Sequence, residues 1–193
     1  MVHKLSTIPL LLLFGSTAFG QVLDSSGNPD TSYPGFYAWF DASDGVNGSG
    51  QPNDGDSATM WVDNTGNGHD LIRVSSDVTR QPVFRATAAN GAPALEFDGN
   101  DFIWGDQNTE FGEIAGAKTM FIVAEVDTTD VNSYIFDSCT GAGRNALLTG
   151  QQASPDQWQI WTGTGLAGAN GTPINRDVFE IHTLMIDAGL QEH

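Results

Sequence analysis

Two short stretches carry the side chains with the clearest chemical potential. In Pro93–Trp104, PALEFDGNDFIW, residues Asp98, Gly99, Asn100 and Asp101 put two carboxylates and an amide on one turn between two strand-like segments, Ala94–Phe97 and Phe102–Trp104. Glycine and short polar residues accept left-handed backbone, so this pattern predicts a hairpin tip. The second stretch, Asp63–Asp70 (DNTGNGHD), is entered from Met60, Trp61 and Val62. Oxygen-rich turns can hold a hard cation such as calcium, which takes six to eight oxygen ligands. Asp63, Thr65, Asn67 and Gly68 match the first, third, fifth and sixth positions of an EF-hand loop, but the twelfth is Val74 and no helical pattern flanks the turn, so an EF-hand is excluded. Two readings remain: calcium held by Asp63, Asn67, Asp98 and Asp101 with backbone carbonyls, or turns closed by Asx hydrogen bonds alone.

Sugar recognition calls for an exposed aromatic face beside groups that hydrogen-bond hydroxyls. Trp104, Tyr134, Trp158 and Trp161 are the candidates. Trp158 and Trp161 have opposite parity along one strand, so a regular strand turns one of them into the core. Glycoside hydrolysis needs two carboxyl groups at a set separation. Glu125 with Asp127 and Glu96 with Asp98 are the nearest pairs at i and i+2, each on one strand face, and neither has a third acid. No serine lies in a nucleophile-elbow context. His69 and His182 have no spaced Cys or His partners, which argues against zinc. Asn47 and Asn170 each begin an Asn-X-Ser/Thr sequon.

These groups must be positioned by short strands. Phe36–Phe40 (FYAWF), Thr59–Asp63, His69–Val74, Pro82–Arg85, Ala94–Phe97, Lys118–Asp127, Ser133–Asp137, Asn145–Thr149, Gln157–Thr162 and Val178–Asp187 all read as strands, separated by segments rich in Gly, Asp and Asn. Asp41–Ser57 has no apolar period and reads as a long surface loop; Asp106–Ala117 has room for one helical turn. In Val178–Asp187, Phe179, Ile181 and Met185 alternate with Glu180 and His182. Around ten short strands, 23 glycines and no repeat predict an all-β, antiparallel two-sheet sandwich, with a jelly roll fitting the strand count best.

Lys4, the apolar run Ile8–Phe14 and the small residues ending at Gly20 have the layout of a secretory signal peptide, and the run is too short to span a bilayer. We expect cleavage after Gly20, a linker over 21–34 and one domain over 35–193, secreted or at the cell surface without membrane insertion. Val178–Asp187 has no return strand after it, so the domain is expected to be incomplete. Cys139 is the single cysteine, which leaves no intrachain disulfide to hold the fold. The chain carries 24 acidic and 7 basic residues, a net charge of −17, which excludes nucleic acid as a partner because phosphate binding needs clustered Lys and Arg.

Phe36–Gly45 (FYAWFDASDG), Trp61–Leu71 (WVDNTGNGHDL), Pro93–Phe102 (PALEFDGNDF), Lys118–Val126 (KTMFIVAEV) and Ser133–Leu148 (SYIFDSCTGAGRNALL) come in an order that resembles the laminin-G-like domains of the concanavalin A-like lectin and glucanase superfamily, of bacterial secreted type. That resemblance implies a concanavalin A-like jelly roll. It implies glycan or cell-surface polysaccharide binding, adhesion, or a place as an accessory module in a larger extracellular protein. Two alternatives stand beside it: a glucanase-like hydrolase, and an architectural domain of a larger surface protein.

Overall fold

The computed structural model describes residues 5–13, 29–33, 35–73, 76–105, 118–127, 133–140, 143–149, 156–162, 165–186 and 191–192. They are mostly β-strands joined by turns, with almost no helix: Leu5–Leu13 (β1), Phe36–Phe40 (β2), Met60–Trp61 (β3), Leu71–Arg73 (β4), Val83–Ala89 (β5), Ala92–Phe97 (β6), Ile103–Gly105 (β7), Lys118–Val126 (β8), Ser133–Thr140 (β9), Gly143–Thr149 (β10), Gln157–Thr162 (β11), Gly165–Pro173 (β12), Glu180–Ile186 (β13) and Gln191–Glu192 (β14), with one 3-10 turn at Val78–Arg80. The helical turn expected within Asp106–Ala117 lies outside the described residues.

The strands form three antiparallel sheets. A seven-stranded sheet runs β14-β13-β8-β1-β6-β5, with β2 also paired to β1; a four-stranded sheet runs β12-β11-β10-β9; a small sheet runs β3-β4-β7. Alternation decides which face is buried. In β2, Phe36, Ala38 and Phe40 point inward, and in β8, Met120, Ile122, Ala124 and Val126 do the same. Ala38, Phe40, Met120, Ile122, Ala124 and Val126 join Trp61 of the small sheet and Trp158 and Ile160 of β11 in one apolar cluster, so all three sheets share a core.

The segment with leader-like composition, Leu5–Leu13, is the central strand of the largest sheet. It pairs along one edge with β8 and along the other with β2 and β6. Pro9 falls where the register against β8 shifts, between Ile8 and Leu10, which is where a residue without an N–H interrupts a ladder least.

The expected hairpin at Asp98–Asp101 is not formed. β6 pairs with β5 and β1, whereas β7 pairs with β4, so this turn carries the chain from one sheet to another. The hairpin lies upstream, at Asn90 and Gly91, with φ of 52° and 91°, between the facing residues Ala89 and Ala92. Two successive positive φ values are the signature of the tight turn whose twist matches paired strands. Asp41–Ser57 also departs from a surface loop: Ala42 and Val46 are buried in the common core, and Val46 bridges Trp61.

Candidate functional site

The Asp63–Asp70 turn folds around a buried carboxylate. Asp63 Oδ1 accepts hydrogen bonds from the backbone N of Trp39 at 3.0 Å, from Thr65 N at 3.0 Å and from Thr65 Oγ1 at 2.7 Å. Its Oδ2 accepts from Thr65 Oγ1 at 2.7 Å and His69 N at 3.3 Å, with His69 Nδ1 at 3.2 Å. His69 stacks on Tyr37 with ring centroids 3.9 Å apart. Asn64 N donates to Trp39 O, and Asn67 Nδ2 donates to Tyr37 O. The turn therefore satisfies the edge of β2 that faces away from β1, as a further strand would.

This chemistry bears on calcium. The Asp63 side chain is fully buried and both its oxygens already accept from protein donors. The other half of the expected site is elsewhere. Trp61 faces Leu71 and Leu71 faces Gly105, while Arg73 faces Ile103, so the Asp63–Asp70 turn and the Asp98–Asp101 turn leave the small sheet at opposite ends. This placement does not support one ion shared by Asp63, Asn67, Asp98 and Asp101. Among the described residues no group of three or more His, Cys, Asp or Glu is arranged to hold a metal.

The Asp98–Asp101 turn is closed from within: Asp101 Oδ2 accepts from Asp98 N at 2.9 Å, Asp98 Oδ1 accepts from Asn100 N at 2.9 Å, and Asn100 Nδ2 reaches Thr79 O at 3.1 Å. Partial burial, helped by the nearby negative charge of Asp98 and Glu96, pushes the Asp101 carboxyl up to about 6.

The four aromatic candidates separate. Trp104 is 45% exposed on β7. It faces Ile72, which in turn faces Met60, so three large apolar side chains lie abreast on the outer face of the small sheet. Tyr134 is half-buried on β9. Trp158 is 1% exposed and belongs to the core, which removes it as a sugar platform. Its Nε1 donates to Glu180 Oε2 at 2.8 Å, and its ring lies 4.0 Å from that of His182. A buried indole needs such a partner for its N–H. The side chain of Trp161 lies outside the described residues.

Comparison with protein-family models, with curated proteins and with solved structures returns no match. The geometry alone therefore carries the functional reading. Among the described residues no helix is long and apolar enough to cross a membrane.

One relationship between acids escapes a reading of single strands. Glu96 of β6 and Glu125 of β8 both stand opposite Ser6 of β1. They share a sheet face, two strand spacings apart, roughly 10 Å between backbones. Glu96 is buried and engages Arg85 Nε through Oε2. No i, i+2 pattern reveals this pair, because register across β1 creates it. The row Met60–Ile72–Trp104 was equally hidden, although Trp104 itself stood out by residue type.

Proposed function

We propose that this chain is a secreted, non-catalytic carbohydrate-binding or adhesion module of all-β, jelly-roll-like architecture, and that the outer face of the small sheet contacts the sugar. The observation that carries this reading is Trp104, an indole 45% exposed yet fixed in a strand ladder beside Ile72. A rigid exposed ring offers an apolar platform for the C–H face of a pyranose at little entropic cost. The Asp98–Asp101 turn, three residues upstream, supplies carboxylates that accept from sugar hydroxyls. Screening against a glycan array, followed by titration of the best glycan, tests it. Trp104→Ala should weaken binding at least tenfold while the melting temperature stays put; a folded wild-type chain that binds no glycan defeats the proposal.

A second reading, a glucanase-like hydrolase, is favoured by the Glu96 and Glu125 pair facing one side of the large sheet. Carboxyl groups about 6.5–9.5 Å apart suit hydrolysis with inversion. Release of reducing sugar from a β-glucan, abolished in Glu125→Gln, would establish it. A panel of polysaccharides left uncut by the folded protein would remove it.

A further inference from the structure

We propose that the slot between β8 on one side and β2 with β6 on the other is a strand-acceptor site whose occupant is Leu5–Leu13, held there by its register, so that the segment stays seated after the chain is cut behind Gly20. This rests on the reading that the chain is cut after Gly20, which the intact mass of the exported protein tests separately.

The slot is defined by what flanks it. Against β8, Leu5 stands opposite Val126, Thr7 opposite Ala124, Leu10 opposite Ile122 and Leu12 opposite Met120. On the other edge Leu5 and Thr7 face Phe97 and Leu95, while Leu10 and Leu12 face Phe40 and Ala38. Positions 5, 7, 10 and 12 thus share register with the buried face of the sheet, where Ala38, Phe40, Leu95, Met120, Ile122, Ala124 and Val126 are all nearly inaccessible. An empty slot would expose that apolar row and leave two rows of backbone N–H and C=O groups without ladder partners.

Such a gap is filled by strand addition, in which main-chain hydrogen bonds supply affinity and alternate side chains supply selectivity. The occupant's chemistry follows from the register. It is about nine residues long and apolar at the positions equivalent to 5, 10 and 12, with one irregularity near the middle to match the shift at Ile8–Leu10. Few basic residues are required of it, since the flanking strands present mainly apolar and backbone groups.

A full-length chain with a protease site inserted between Gly20 and Gln21 provides the test. After cutting, the folded protein is incubated with a labelled synthetic peptide of residues 5–13 carrying terminal lysines for solubility, and separated by size exclusion. The expected result is that the cut segment stays with the domain and exchanges for the labelled peptide. A peptide with Leu5→Asp, Leu10→Asp and Leu12→Asp should enter at least tenfold less well. In the uncut chain, Leu11→Pro, at a position paired on both edges, should lower the melting temperature. The proposal is overturned if the segment leaves while the rest melts unchanged, if the substituted peptide enters equally well, or if Leu11→Pro has no effect.

Discussion

The Oδ1 of Asp63 lies 3.0 Å from the backbone N of Trp39, 24 residues away in the chain, and so ties a polar turn to the edge of a core strand. Asp63→Ala would leave Trp39 N, Thr65 N and His69 N without this acceptor inside a buried site. The expected loss is about 3 kcal/mol, or roughly 6–12 °C in melting temperature for a chain of this size. Urea denaturation should show a lower midpoint with an unchanged slope. Because protein donors already occupy Asp63, EDTA should leave the wild-type melting temperature where it is; a drop reversed by Ca²⁺ would show that an ion holds the fold.

Trp104 and Trp158 should behave oppositely. Trp158→Ala empties a core position and removes the donor to Glu180, which is expected to cost about 3–5 kcal/mol. Trp104→Ala should change stability by no more than about 0.5 kcal/mol. Equal destabilisation of the two variants in parallel thermal melts would contradict the burial assigned to them.

Asp101 sets a pH dependence with a definite sign. Its folded carboxyl titrates at about 6, against an ordinary value of 3.8, so the folded chain binds this proton more tightly than the unfolded chain. Stability from this group is therefore greatest below pH 3.8 and is lost as pH rises through 6. Asp101→Asn keeps an oxygen for Asp98 N without the charge. It should raise the melting temperature at pH 7.5 and leave it nearly unchanged at pH 3.5.

Gly45 and Gly66 separate backbone strain from crowding. Both have positive φ, 85° and 77°. A Cβ at Gly45 would meet Val62 Cβ at 3.0 Å and Asn64 Oδ1 at 3.1 Å, whereas one at Gly66 would meet nothing within 4 Å. Gly66→Ala should cost about 1 kcal/mol and Gly45→Ala about 2–4 kcal/mol. Chemical denaturation of the two variants side by side measures the difference.

Much of the strand content was legible because burial alternates cleanly. FYAWF in β2 and Met120, Ile122, Ala124 and Val126 in β8 announce their inner faces by residue type alone. β12 did not, since Gly165–Pro173 has no apolar alternation and exists through pairing with β11. The last long strand is turned over relative to its apolar pattern. His182 and Leu184 are buried while Ile181 is 73% exposed, and on the inward side His182 packs against Trp158. The hairpin was misplaced because Asp98–Asp101 and Asn90–Gly91 are both good turns. Only the second has facing strands on either side. The candidate sites were least legible: Asp63 finds Trp39, and Glu96 finds Glu125, through pairings between distant parts of the chain.

Asn47 offers a clock for the order of events during folding. Its Nδ2 donates to Ser57 O at 3.0 Å, and its Oδ1 accepts from Thr59 N at 2.7 Å and from Thr59 Oγ1 at 3.0 Å, so the amide of this sequon is spent on closing the segment between them. In a host that glycosylates Asn-X-Ser, an oligosaccharide on Asn47 would have to be attached before that segment closes, and its presence would mark chains that were modified early and closed differently.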